Sequence, residues 1–444
     1  MSRKTRRWFV IVLTVVFIGL GTGMVFYSLG WRVDFGNLEI TKTGAIFVRS
    51  FPKDTIVSID GKTAERSDGF VFSGTLKKGL VPKDYKVTVE AEGFKTWENQ
   101  LTVRAEIVTE IKDIVLAPKE TETTAVASTT GGFYRFNDSF IRRDRGGYLI
   151  WGEQKLTGND FISGDEQENI IITKNNQGVF FLNNLNEKSI LNLNLVFKNL
   201  KQRAEIRETT AIKNIISGSG HKGIIIVVTG AATYAADINK LSLTIIDEQP
   251  IKFSYWRDRE ILMANGRAIR RVNIDSGEGI LVTELKEESE IIKADFGEGE
   301  EIIVLQANGS LTLITKGEQK QIAHSVIEFI RSPDQKRVVF RERDQKISFY
   351  SIPKDKYQKS KKTETEKAGE IIMVSQNHLL LNYGDRIVIL QAAPDTMDGE
   401  EAVLYQEEIY RGQTEKMEWD KNKEELFIET EGEIKRIDYF KGAF

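Results

Sequence analysis

Between residues 161 and 440 one pattern recurs seven times: a short apolar strand, a polar turn, a β-branched strand, a second turn and an alternating strand. The clearest copy is VIEFIRSPDQKRVVFRERDQKISFYSI at 326–352. Others begin near residues 161, 211, 251, 291, 371 and 416, so the steps run 50, 40, 40, 35, 45 and 45 residues. A four-stranded propeller blade needs about 40–50 residues. The period therefore predicts a β-propeller across 133–444, of about seven blades with six or eight as alternatives, in preference to paired β-sandwiches or a solenoid. The strands in 133–157 precede the first copy and are expected to complete the last blade, which removes the open sheet edges. No helical period of useful length is apparent after residue 31, and GRAIRRVNI at 266–274 is read as a strand from its place in the repeat.

The chain opens differently. From Trp8 to Trp31 there are 24 residues without a charge. At 1.5 Å per residue they span about 36 Å, enough for a hydrocarbon core of ~30 Å. Trp8, Phe9, Tyr27 and Trp31 stand at its ends, where amphipathic rings favour the interface. Arg3, Lys4, Arg6 and Arg7 precede it, so the positive-inside rule predicts a cytoplasmic tail at 1–7, a single span at 8–31 and an extracytoplasmic remainder. The run exceeds the apolar core of a signal peptide, about 7–15 residues, which favours an uncleaved anchor over a cleaved leader. Gly19 and Gly23 have the spacing of a helix-pairing face, although glycines are common in membrane helices.

Composition narrows the chemistry. The 444 residues include no Cys and 3 His, which excludes disulfides, zinc–cysteine sites and cysteine nucleophiles and leaves little for a histidine-based site. With 62 basic and 65 acidic residues the net charge is −3; removing the +4 of the tail leaves −7 on the remainder, which is not the balance of a nucleic-acid binder.

Residues 40–118 read as short strands with Asp-Gly and Glu-Gly turns, such as TIVSIDG (55–61) and KVTVEAEG (86–93). The ordered set Val48, Ser50, Pro52, Val57, Ile59, Asp60, Gly61, Leu76, Gly79, Tyr85, Val87, Val89, Gly93, Phe94 and Trp97 resembles the PEGA domain. The name-giving tetrapeptide is degenerate here: Pro52-Lys53-Asp54-Thr55 keeps only the proline, and an insertion precedes Tyr85. The resemblance covers about one sixth of the chain. It implies a noncatalytic, extracytoplasmic β-sandwich-like module used as a spacer or wall-proximal unit. Trp97 is expected to pack the sheet rather than to serve as an exposed ligand platform. Residues 119–132, rich in Thr, Ser and Gly, read as a flexible linker. The turn Ser332-Pro333-Asp334-Gln335-Lys336 resembles that of TolB-like and WD-type propellers, but the His and Trp-Asp pair that define WD repeats are not in register.

Catalytic patterns are not found: no nucleophile elbow, P-loop or EF-hand fits. Ser219 beside His221 lies in a Gly-rich turn, and Asp420-Lys421-Asn422 lacks the glycine and terminal glutamate of a calcium loop. No catalytic, cofactor or metal residue is assigned, and the binding residues are left open. The Lys-rich insertion 353–370 reads as a solvated loop, with contact to anionic polymer or headgroups as the functional alternative. The expectation is a membrane-anchored extracytoplasmic binding or scaffold protein that recognises a cell-envelope protein or polysaccharide, with weak self-association through the helix. The alternative is an extracytoplasmic hydrolase or lyase with Asp165, Asp295 and Asp334 converging in the channel.

Overall fold

In the computed structural model the described residues are 3–28, 30–34, 39–68, 73–217, 223–251, 253–257, 259–286, 288–297, 301–353, 355–359, 368–392 and 403–443. Ser219 and His221 lie outside them. Helix α1 spans Arg3–Ser28 and carries the single segment, Arg7–Ser28, long and apolar enough to cross a membrane among the described residues.

Two four-stranded sheets follow. One is ordered Val108–Val115, Gly44–Phe51, Ser73–Leu80, Arg66–Asp68; the other Lys62–Ala64, Ile56–Ile59, Asp84–Glu90, Trp97–Thr102. Pairing is antiparallel except between Gly44–Phe51 and Val108–Val115, which run parallel. Period-two alternation decides the packing: Tyr85, Val87 and Val89 are buried and their neighbours face outward. Asp60 and Gly61, at φ 47° and 74°, make the positive-φ turn of a two-residue hairpin joining Ile59 to Lys62.

Eight further four-stranded sheets form the propeller. Blades 1 to 7 occupy residues 133–155, 160–192, 212–247, 253–284, 291–323, 326–359 and 370–411. In each, the first strand is innermost and touches the first strand of a neighbour, and the strands then step outward in chain order. We call them a to d.

The count is eight where the repeat pattern gave about seven, and the closure differs from expectation. Residues 133–155 make a blade of their own, whose c and d strands are only Leu149–Trp151 and Gln154–Lys155, too short to register as a copy. Blade 8 takes its a to c strands from Lys416–Asp420, Glu425–Thr430 and Glu433–Ile437 and its d strand from Thr124–Ser128, within the stretch read as a flexible linker. The N-terminal strand thus closes the ring on the C-terminal one.

Two other expectations are corrected. A helix, α2 (Leu193–Arg203), joins blades 2 and 3. Asn192 caps it by accepting from the Leu195 amide at 3.1 Å, and Leu193, Phe197 and Leu200 bury one face at i, i+4 and i+7. Three turns are too few for a sustained period to stand out. In the Lys-rich insertion, Lys356–Lys359 form the d strand of blade 6 rather than a loop; residues 354 and 360–367 lie outside the described set.

Candidate functional site

Antiparallel order gives the ring two faces. Each a strand starts on the face that carries the d-to-a connections, including α2, and ends at the a-to-b turns on the other. At the first face the a strands of blades 2, 3, 5 and 6 share one irregularity. Their pairing skips a single residue: Ile162, Lys213, Ile292 and Ile327 respectively. These are β-bulges, which re-aim side chains at the rims of sheets. Ile292 and Ile327 are left 43% and 36% exposed, and Lys213 is exposed. Tyr134, 43% exposed on the a strand of blade 1, stacks on Phe161 with ring centroids 4.7 Å apart. The channel mouth therefore carries exposed isoleucines and an aromatic pair, with Lys213 among them.

Several charged residues of the a and b strands reach neighbouring blades or the segment before blade 1. Lys416 donates to the Phe133 carbonyl, pairs with Glu418 at 2.9 Å and lies 3.6 Å from the centroid of the Tyr134 ring. Arg135 pairs with buried Asp420 at 2.7 Å, and Lys293 donates to the Phe329 carbonyl at 2.6 Å. Glu370 accepts from the Met417 amide at 2.8 Å, and Glu429 from Gly132 at 3.0 Å. Burial raises the carboxyls of Glu370 and Glu429 above the usual range, each offset in part by that single amide. They serve as inter-blade staples.

The three aspartates weighed as catalytic stand on the other face, each tied to its own blade's turn or the next strand. Asp165 accepts from the Gln167 and Glu168 amides at 3.0 and 3.2 Å; Asp334 accepts from Ser332 Oγ at 2.6 Å; Asp295 faces Arg331 at 4.0 Å. Asp165, Asp295 and Asp334 belong to blades 2, 5 and 6 respectively. Asp420 likewise accepts from Asn422 and Lys423, closing a turn rather than framing a calcium loop.

That same face of blades 7 and 8 receives the small domain. Trp97, fully buried, donates its indole N–H to Gln391 Oε1 at 3.2 Å, so it is no exposed platform. Gln391 Nε2 in turn donates to the Asp113 carbonyl at 3.3 Å. Asp113 has φ 71° within a bulge between Ile111 and Ile114, and this turns its carbonyl toward the propeller. Lys95 Nζ donates to Glu407 Oε2 at 3.0 Å and to the Glu408 carbonyl at 2.8 Å. Tyr439 donates to the Leu116 carbonyl and packs against Phe51 and Phe94 at 5.8 and 5.9 Å. One apolar cluster runs from Val87, Trp97 and Ile114 through Leu380 and Ile389 to Ile428 and Phe440.

Two sheets, a parallel pair among them, and the Asp-Gly hairpin settle what this domain is like. Residues 43–118 match the PEGA domain. No curated protein sequence matched the chain. Among solved structures it is similar to BamB from Moraxella catarrhalis, at 10% identity, covering 71% of this chain and 99% of that one with a TM-score of 0.47. It is also similar to the computationally designed Ika8 protein, at 11% identity over 72% and 97% with a TM-score of 0.45. A third is a chain of the mitotic checkpoint complex, at 10% over 63% and 89% with a TM-score of 0.40. The propeller assignment rests on the order of the eight sheets.

The PEGA joint also holds a strongly displaced imidazole. His378, fully buried at the start of a blade 7 strand, shares a hydrogen bond with Ser375 Oγ at 2.8 Å. Burial pushes its imidazole down to about 3, offset in part by the backbone of Asp113 in the PEGA domain. The folded state thus holds this ring neutral while the unfolded chain protonates it near 6.5. Its contribution is complete above pH 6.5 and is lost as pH falls toward 3. At pH 5 the loss is about 2 kcal/mol, taking ~1.4 kcal/mol per pKa unit. Urea unfolding at pH 7.5 and 5 reads this, and His378→Gln should flatten the difference between the two.

Proposed function

We propose that this chain is a noncatalytic, membrane-anchored binding protein: α1 crosses the membrane once with the N-terminus cytoplasmic, the PEGA domain is a spacer, and the propeller binds a protein of the cell envelope at its channel mouth. The observation that carries the reading is the arrangement of the two faces. The joint to the PEGA domain occupies one face at blades 7 and 8, and the bulged, exposed isoleucines stand on the other. A head held this way offers its channel mouth away from the spacer. An apolar centre with aromatic and cationic neighbours suits a protein surface, whose interface cores are depleted in charge. Anchoring is supported by the apolar length of α1 and the four cations before it. The noncatalytic reading is supported by the inter-blade contacts of Arg135, Lys293, Glu370 and Lys416, and by the local partners of Asp165, Asp295 and Asp334.

The test is capture of envelope proteins by the 39–444 fragment, compared with an Ile292→Asp/Ile327→Asp variant. Both side chains are exposed, so the variant should fold. Loss of a captured protein by more than about tenfold is expected, since two charges placed in an apolar contact cost well over ~1.4 kcal/mol. Equal capture by both forms, or capture of polysaccharide alone, contradicts the reading.

A further inference from the structure

The chain leaves α1 through a fixed corner. Gly30, at φ 85°, donates to the Tyr27 carbonyl, and Thr43 returns both its amide and its hydroxyl to the Gly30 carbonyl at 2.9 and 3.0 Å. Strands Trp31–Asp34 and Glu39–Lys42 form a hairpin between these points. Arg32 lies 3.5 Å over the Tyr27 ring and donates to the Tyr27 carbonyl at 2.9 Å. The end of the helix is thereby bound to the start of the PEGA domain.

The rim around this corner has an unusual surface. Glu106 donates its amide to the Thr43 carbonyl, which brings the 104–107 loop beside the helix exit. Ile107 on that loop and Val108, which opens the following strand, are 51% and 46% exposed, and Ile40 on the hairpin is 66% exposed. Cations stand among them. Lys42 pairs with Glu106, Arg104 lies on the loop, and Arg32 approaches Gly79, next to exposed Lys77 and Lys78. Exposed aliphatic side chains with Lys and Arg close by in the fold form the pattern that binds the boundary of an anionic leaflet. The helix exit already holds this rim at that boundary, so docking is an intramolecular step.

We propose that the rim formed by Ile40, Ile107 and Val108 with Arg32, Lys42, Lys77, Lys78 and Arg104 is a membrane-docking surface, which seats the PEGA domain on the anionic phospholipid headgroups around α1. The proposal rests on the anchor reading of α1. Docking gives the anchor an orientation as well as a tether: the spacer, and the propeller packed on it, stand at a set angle to the membrane.

The chain has no cysteine, so one introduced thiol reports alone. The full-length protein is labelled with an environment-sensitive dye at Ile107→Cys, at Phe17→Cys in α1, or at Ile280→Cys on the outer edge of blade 4. Each is reconstituted in vesicles of phosphatidylcholine with phosphatidylglycerol, or phosphatidylcholine alone, containing nitroxide-labelled lipid. In the anionic vesicles the Ile107 and Phe17 labels are quenched and the Ile280 label is not. Lys77→Gln and Lys78→Gln each lower the docked-to-undocked ratio at Ile107 by roughly five-fold. An Ile107 label left unquenched while Phe17 is quenched overturns docking and leaves the anchor. Equal quenching of Ile107 in phosphatidylcholine alone overturns the assignment to anionic headgroups. An unquenched Phe17 label overturns the anchor reading and docking together.

Discussion

Trp97→Ala is expected to destabilise the protein by about 4 kcal/mol, within the range for removing a fully buried tryptophan. Trp97 is wholly enclosed between the PEGA sheet and blade 7, and its indole N–H holds Gln391. Truncation opens a cavity at the joint and leaves Gln391 Oε1 without that donor. Trp97→Phe keeps most of the volume and loses the hydrogen bond, so it should cost about 1–2 kcal/mol. Chemical denaturation of the 39–444 fragment separates the two variants. Equal and small losses would place Trp97 at the surface of an independent domain.

The second large effect concerns ring closure. Replacing Thr124–Ser128 with an equal length of Gly and Ser should cost about 3 kcal/mol, from roughly 0.5–1 kcal/mol at each strand position. The strand pairs with Glu433–Ile437, Thr124 opposite Arg436 and Ser128 opposite Glu433. Without it, blade 8 has three strands and an open edge, which invites pairing between molecules. Light scattering should therefore rise along with the drop in melting temperature. A substituted protein that remains monomeric and as stable as its parent would mean that the strand contributes nothing to closure.

How much of this is legible in the sequence depends on where each strand sits. The b strands of blades 2 to 8 are largely buried on both faces, as in Ile302–Gln306, so they read as continuous apolar runs and mark the period. The closing strand, TAVAS, is an outer strand with Val126 39% exposed, and it looks like a linker because only one side needs packing. The PEGA domain is legible from its period-two strands and Asp-Gly turn. The joint is not: Trp97 and Gln391 are 294 positions apart, and nothing local in either strand names its partner. The isoleucines at the channel mouth look like ordinary strand residues in the chain. Their exposure comes from a bulge, a property of pairing geometry that composition does not carry.

The central claim is that spacer and propeller form one rigid unit presenting the channel mouth away from the PEGA domain. The most direct measurement is the spin–spin distance between nitroxides at Lys62→Cys on the PEGA domain and Asn186→Cys on blade 2, two exposed positions in a cysteine-free chain. A single narrow distribution that broadens in the Trp97→Ala background is the predicted result. A broad distribution in the otherwise unaltered protein would contradict it.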